Sequence, residues 1–464
     1  MKRYAEPKIK LDYDPDFQPA ALFNREFLKA VAAGGGGDRV LIAIEREKGQ
    51  TAVWETRVFE AAAGHDAENN LYIERLVKTI LWVKGGWKIY FCGPEPVFDH
   101  LQRAYAPGGL REFDASFMSR VYEREFTVLR VAAAAMPGNF EIAEAAGGSL
   151  TGCRIGFDAG GSDRKVAAVR DGEVVYSEEV VWHPKLHDDP EYHYREIRAA
   201  MQKAASYLPR IDAIGVSSAG IYVANRVMVA SLFNKIPRAL FDEKVKDIYR
   251  NIAAEFGNVP LEVRNDGDVT ALAGAMSLHD RGILGIAMGT SEAAGFIDGA
   301  GKITGCLNEL AFVPVDFNPG APRDEWSEDY GCGVKYFSQD AVIRLAPAAG
   351  ISLPPEATPA EKLKRVQDLL QAGAPGARRI FETIGVYLGY AVAYYADFYD
   401  IKHLLILGRV TSGEGGSLIL TKAREVLRLE FPELEGKFAL HLPDESERRV
   451  GQAIAAASLP VLKS

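Results

Sequence analysis

The stretch CRIGFDAGGSDRKVAAVRDGEVVYSEEV (153–180) decides how the rest of this chain is read. An apolar run, RIGF, ends in an acid, two glycines and a serine, and two β-rich runs follow with Asp171–Gly172 between them. That order spells a strand, a tight turn and a two-strand hairpin. Glycines let backbone N–H groups approach an anion closely, the hydroxyl adds a donor, and Asp158 is placed to hold magnesium or its waters. An ordinary β-turn with an aspartate contact is the other reading of the same residues.

Outward from this hairpin, PEYHYREIRAAMQKAASYL (190–208) has helical spacing and IDAIGVSSAG (211–220) reads as a buried strand, so the pattern is α/β. Upstream, the small-residue stretch AAAAMPGNFEIAEAAGGSLTG (132–152) marks the main boundary. Before it, RVLIAIEREKGQTAVWETRVF (39–59) reads as strand–turn–strand, NNLYIERLVKTILWV (69–83) as an amphipathic helix, and WKIYFCGPEPV (87–97) as a strand into a turn. This segment is either a degenerate copy of the later half-lobe or an unrelated α/β extension. It lacks the acid and glycines of the later turn, so no phosphate chemistry is assigned to it. The expected organisation is an extension over 1–150, a first lobe over 151–265, a second over 266–445, and a C-terminal helix over 446–464 that returns to the first lobe.

At 464 residues the chain is long enough for about three lobes of ~150 residues. A net charge of −9 argues against a nucleic-acid partner or an anionic membrane surface, though not against a nucleotide, whose site needs only local donors. Cys92, Cys153, Cys306 and Cys332 lie far apart, which fits reduced thiols in a cytoplasmic protein and gives no zinc spacing. The polar N-terminus is unlike a signal peptide, and no apolar run reaches the ~18 residues of a membrane span.

Three later motifs bear on chemistry. In VRNDGDVTALAG (263–274) a strand ends at Asn265–Asp266 and a helix begins. A carboxylate there suits a base for a substrate hydroxyl, or it merely caps the helix, Asp268 being the better cap candidate. In LGIAMGTSEAAGFIDG (284–299) a strand again enters a glycine–hydroxyl turn, by itself a simple turn. In DFYDIKHLLILGRVTSGEGG (397–416) a buried strand runs into a glycine-rich loop with room for a purine and ribose.

In this order and spacing the four elements resemble the ROK family (repressors, uncharacterised reading frames and sugar kinases) of the actin/hexokinase-like superfamily, from about Arg154 to Leu459. IGVSSAGI (214–221), LFNKIP (232–237) and RRVGQAIAAASL (448–459) add to the likeness. The resemblance implies two RNase H-like lobes with ATP and a sugar in the cleft between them. It implies a first phosphate loop of Asp158, Gly160, Gly161 and Ser162 with Lys165, and magnesium held by Asp158 through water. The second phosphate loop would be Gly289, Thr290 and Ser291, with Gly408 and Thr411 at the adenosine. Asn234, Asn265, Asp266 and Glu309 would contact the sugar, with Asp266 as catalytic base.

Departures from the family pattern matter as much. Where a histidine serves as sugar contact and zinc ligand, the segment NELAF (308–312) has Phe312. Of the cysteine cluster YGCGVKYFSQ (330–339) keeps only Cys332, and Val334 replaces an expected glutamate. No structural zinc is therefore expected, nor a pocket shaped for ordinary glucose. Glu292 stands where the family prefers a small residue, and beside ATP it would repel unless it turns away or meets magnesium. The extension does not resemble a winged-helix domain, so no nucleic acid is expected; a homodimer is compatible with the resemblance. HPKLHDDPEYHYRE (183–196) offers either a metal cluster or a helix start at Asp189–Pro190–Glu191. Gly34–Gly37 lacks the G-K-[ST] ending of a P-loop. Thr358, Pro359 and Glu361 predict a capped helix. The expected activity is ATP-dependent phosphorylation of a sugar hydroxyl; a non-catalytic nucleotide- or sugar-binding regulator of the same fold is the alternative.

Overall fold

A computed structural model describes residues 6–145, 147–443 and 445–462. Residues 1–5, 146, 444, 463 and 464 of the segments delimited above lie outside the described residues. The chain forms two compact units, one of Met1–Ile142, Ile286–Ala293 and Gly305–Leu442, the other of Ala143–Gly285, Ala294–Thr304 and Pro443–Ser464.

The second of these units carries the hairpin. Cys153–Ala159, buried along its length, pairs antiparallel with Asp163–Arg170 and parallel with Ala213–Ser218. The sheet runs Leu261–Asn265, Ala213–Ser218, Cys153–Ala159, Asp163–Arg170, Glu173–Val181. A central strand covered on both faces has no polar face to show, which is why Ile155–Phe157 reads as apolar, while the buried Arg154 bonds the carbonyls of Thr151, Ala457 and Pro460. Ile155, Phe157 and Val166 pack with Ile197 and Met201 of helix Pro190–Ala205 and with Ile248 and Ile252 of helix Ile248–Glu255. Each such fully buried side chain contributes about 1.5–3 kcal/mol. Helix Glu445–Ser458 packs on Cys153–Ala159, Ala213–Ser218 and helix Asp266–Leu278. Ala455, Ala456 and Leu459 meet Val269, Ala271 and Leu272. The sequence reading opened the second lobe at 266; this apolar contact places helix Asp266–Leu278 in the same unit as the first hairpin.

A six-stranded sheet runs Ala439–His441, His403–Leu407, Ile283–Met288, Glu292–Ile297, Lys302–Ile303, Glu144–Ala145, the first two parallel. With Glu144–Ala145 left aside and the rest numbered along the chain, the strands of both sheets lie in the order third, second, first, fourth, fifth. The unit of Met1–Ile142 contains the N-terminal sheet, Thr51–Val58, Asp38–Glu45, Lys88–Cys92, Thr127–Arg130 in spatial order. Asp38–Glu45 is antiparallel to both its neighbours, whereas Cys153–Ala159 is parallel to the strand that follows its hairpin and helix. The N-terminal sheet therefore has its own topology, and of the two readings left open above, the unrelated α/β extension is the one it matches.

Helix Asp66–Lys84 departs from its amphipathic expectation: it is buried on nearly every side, with Glu74, Arg75 and Lys78 each no more than 2% exposed. These charges are neutralised by partners distant in sequence. Arg75 and Arg111 reach Asp329 at 2.7 and 2.6 Å, Arg111 pairs with Glu74 at 2.6 Å, and Lys78 pairs with Asp114 at 3.1 Å and Asp329 at 3.2 Å. Three cations thus face three acids. Burial pushes the Asp329 carboxyl up, but Lys78, Arg75 and Arg111 outweigh it and hold that group well below the usual carboxylate range. At 358 the capping box forms as its residues require, Thr358 and Glu361 each bonding the other's backbone N–H.

Candidate functional site

Register builds the first half of the site. On the three central strands Lys165, Asp158 and Ser217 are Cα partners in one row across the sheet. Ser217 Oγ consequently donates to Asp158 Oδ1 at 2.7 Å, and Lys165 Nζ stands 3.7 Å from Asp158 Oδ2 and 3.2 Å from Asp163. Asp158 is 4% exposed, and burial raises its carboxyl pKa against the pull of Lys165 and Ser217. Burial works to lower Lys165, but Asp158 and Asp163 overcome it and the ammonium titrates above its ordinary value.

Beyond Asp158 the chain turns through Gly160, Gly161 and Ser162. Trp182 holds the turn by its carbonyls, its indole Nε1–H donating to Gly160 O at 2.8 Å and its backbone N–H to Ser162 O at 3.1 Å. Gly161 and Ser162 stay exposed. Lys185, on the short turn Pro184–Leu186, brings Nζ to 3.4 Å from where a Cβ on Gly161 would sit. An acid, an exposed glycine–serine turn and two lysines therefore share one end of this sheet.

Asp266 arrives by the next parallel strand, whose Asn265 pairs with Ser218. Helix Asp266–Leu278 starts immediately, so the cap is Asn265 rather than Asp268: Asn265 Oδ1 accepts from Gly267 N–H at 2.7 Å, and its Nδ2–H donates to Gly220 O at 2.7 Å. Both ends of the Asn265 amide are thereby engaged. Helix and strand Glu292–Ile297 touch backbone to backbone at Gly267, where a Cβ would lie 2.1 Å from Ala294 O, and this contact fixes Asp266. Asp266 is half-buried, and its carboxyl is pushed up to about 6 by burial first and the charge of Asp158 second, against the Gly267 amide. Behind it, Tyr222 and Tyr249 both donate to Ser218 Oγ, at 2.6 and 3.0 Å.

Asn234 is exposed at the end of the turn Ser231–Phe233. His193 pins that turn. Its Nε2 lies 3.0 Å from Pro184 O and 3.1 Å from Leu232 O, and its Nδ1 3.2 Å from Asp189 O, so the ring sits among three backbone carbonyls. Asp189 caps the helix by accepting from Glu191 N–H at 2.9 Å, with Pro190 in its first turn. Among the described residues no group of three or more His, Cys, Asp or Glu is arranged to hold a metal ion.

The other unit carries the second glycine turn. Gly289 N–H bonds Ser291 O at 3.0 Å, Gly289 O accepts from Gln339 N–H at 2.9 Å, and Thr290 and Ser291 are exposed. Gly408, at φ +97°, lies so close that a Cβ would sit 2.4 Å from Met288 O, and so the loop after His403–Leu407 begins against the turn. Thr411 is 1% exposed and its hydroxyl donates to Gly408 O at 2.9 Å, closing the loop from within.

Glu292 turns away from its own turn. It is 3% exposed, both carboxyl oxygens lack a hydrogen-bond partner, and a Cβ on Gly333 would lie 2.5 Å from Oε2. Burial, then the charge of Glu309, raises its pKa well above the ordinary glutamate value, so the site favours the protonated acid. Glu309 is half-buried. Phe312, in place of the expected histidine, stacks on Trp82 of the extension at 4.1 Å, with Phe113 and Phe117 around it. Cys332 is fully buried, its thiol pushed up to about 12 by that burial.

Sequence reasoning missed Ser217, Lys185, Trp182 and Trp82. A serine pair inside a buried strand was the available signal for Ser217, because a polar side chain there needs a partner. Lys185 lay inside the histidine-rich segment weighed only for metal or capping.

No family model matches the chain, and no curated protein matches it. Solved structures do. The ROK hexokinase from Thermus thermophilus is 19% identical, with 66% of this chain and 97% of that one covered and a TM-score of 0.52. A ROK family glucokinase from Streptomyces griseus, in complex with glucose and AMPPNP, is 21% identical over 67% and 99% of the two chains, with a TM-score of 0.51. A ROK family transcriptional regulator, a homologue of the E. coli MLC protein, is 19% identical over 66% and 78%, with a TM-score of 0.52. These likenesses concern the fold, which over about two thirds of this chain is the actin-like, hexokinase-like α/β fold of the ROK structures.

Proposed function

We propose that this chain is an ATP-dependent phosphotransferase acting on a hydroxyl of a sugar or sugar derivative. The observation that carries the reading is the pair of carboxylates, Asp158 and Asp266, at the ends of strands in one sheet beside an exposed glycine–serine turn. Their environments separate their roles. Asp158 is buried in a row with Lys165 and Ser217, while Asp266 is half-buried with a pKa of about 6. A base poised just below neutrality is ionised at pH 7 yet basic enough to take a hydroxyl proton in the transition state.

The donor set fits a magnesium-bound triphosphate: amides of an exposed turn, Ser162, and the lysines Lys165 and Lys185 for phosphate oxygens, with Asp158 as the acid that would hold magnesium through water. Magnesium, when bound, supplies neutralisation of charge on the phosphates. Gly289, Thr290, Ser291 and the loop from Gly408 to Thr411 are assigned to the nucleotide, and Asn234, Asn265 and Glu309 to the acceptor. Asp266 accepts the proton as the acceptor oxygen bonds the terminal phosphorus and the bond to the leaving ADP oxygen breaks. Ser217 and Lys165 hold Asp158 in place through this step. The test is sugar-dependent ADP release, which Asp266→Asn should nearly abolish; unchanged turnover in that variant overturns the reading.

One observation favours the alternative of a non-catalytic sugar or nucleotide binder: the position expected to hold a sugar-contacting histidine is a phenylalanine stacked on Trp82. That reading predicts ligand-induced thermal stabilisation with no turnover on any hexose, amino sugar or polyol.

A further inference from the structure

The segment carrying Glu309 is held by the extension. Helix Asp66–Lys84 ends at Trp82–Val83–Lys84, and its last carbonyls, which have no acceptor role inside the helix, take the backbone N–H groups of the next segment. Asn308 N–H donates to Val83 O at 3.0 Å and Glu309 N–H to Trp82 O at 3.1 Å. Asn308 takes the left-handed conformation, φ 53°, and its Oδ1 accepts from Tyr399 Oη–H at 3.0 Å. Gly85, at φ +78°, closes the helix. A Cβ there would lie 2.1 Å from Tyr122 Oη and 2.7 Å from Leu307 Cγ, so a side chain would push residues 307–309 off the helix end.

Trp82 itself is fixed on two sides. Its Nε1–H donates to Asp114 Oδ1 at 2.9 Å, where Asp114 is also bound by Lys78, and its face carries Phe312 three residues beyond Glu309. Asp329, on the loop before Gly331–Gly333, belongs to the same ion cluster. Two backbone hydrogen bonds, one aromatic stack and the charge cluster therefore hold the segment at Glu309, each with a partner in residues 66–122, and Tyr399 adds a bond to Asn308.

We propose that the helix end Trp82–Gly85 is a positioning element for the acceptor: it sets the backbone at Asn308–Glu309 so that the Glu309 carboxylate meets the acceptor's hydroxyls, giving the extension a part in acceptor selection. This rests on the reading of Glu309 as an acceptor contact given above.

The full-length chain is assayed with glucose, N-acetylmannosamine and sorbitol as acceptors, alongside Gly85→Ala and Trp82→Phe, reading separate KM values for acceptor and ATP, calorimetric Kd values for each, and Tm. Gly85→Ala should raise the acceptor KM and Kd about tenfold or more, since a misplacement near 1 Å costs up to about 10²-fold, while the ATP values stay within about twofold. Trp82→Phe keeps the stack on Phe312 but loses the Asp114 bond, and should shift the acceptor values in the same direction by less. It also keeps the test alive if Gly85→Ala does not fold. A purely architectural role would lower Tm and leave both ligands' constants unchanged or move them together, and either pattern overturns the inference. Acceptor binding without transfer by the wild-type chain overturns the kinase reading alone, the Kd values still deciding the positioning role. Failure of the wild-type chain to bind or turn over any of the three overturns both.

Discussion

Each lobe sheet joins its first two strands by a glycine–hydroxyl turn with a carboxylate beside it, and the two carboxylates meet opposite fates. Asp158 precedes its turn by two residues and sits in a cross-strand row with a serine and a lysine. Glu292 follows its turn directly and points into the interior against Gly333, with neither oxygen bonded. Similar spacing from a turn therefore says little about role. What matters is whether the neighbouring strands present groups that tolerate a charge, and only the first sheet does so.

The largest expected effect comes from removing charge on the tolerant side. Asp266→Asn should cut turnover by about 10²- to 10⁴-fold, and Asp158→Asn should also abolish most of it, whereas Glu292→Gln should leave turnover within about twofold. A loss at Glu292 equal to that at Asp158 would break the comparison. The next effect is on folding: Asp329→Ala leaves Arg75, Arg111 and Lys78 short of an acid and should cost about 3–5 kcal/mol in denaturant unfolding, with Glu328→Ala as the neutral control.

pH separates Asp266, on the tolerant side, from Glu292. If Asp266 is the proposed base it acts ionised, and turnover should rise with pH through about 6 and level off above it. Glu292 has a folded pKa above its unfolded value of 4.5, so its contribution to stability is fully present below that value and is lost as pH rises. Glu292→Gln should therefore gain Tm relative to wild type at pH 8 and not at pH 4; a pH-independent difference would mean that Glu292 is not a buried acid. The smallest effect is at Thr358, remote in sequence from both turns, where Thr358→Ala should cost about 1 kcal/mol and leave turnover intact.

The hairpin at 153–180 and the helix starts at Asp189 and Thr358 were legible because their determinants lie within a few residues: an acid and glycines at a strand end, or a cap, a proline and an N-terminal acid. The order of strands in the extension was not, because the direction in which Lys88–Cys92 joins Asp38–Glu45 depends on the path between them. Helix Asp66–Lys84 misled for a related reason. Its charges looked solvent-facing, but Asp329 lies some 250 residues away in sequence and turns that face into interior. At the site, Asp158 and Asp266 could be singled out from strand ends, while Ser217 and Lys185 became visible only once sheet register and the turn's neighbours were known.

The chain passes between the two units five times, and the last passage delivers helix Glu445–Ser458 to a sheet begun at Cys153. A ribosome adding roughly 5–20 residues per second would release strand Cys153–Ala159 some 15 to 60 seconds before that helix emerges. During the interval the hairpin's apolar surface at Ala167 and Val169, destined for Ala453 and Ala457, has no cover of its own. The nascent first lobe is thus a client for whatever shields hydrophobic surface during translation, and a stop codon anywhere before 445 would leave it permanently in that state.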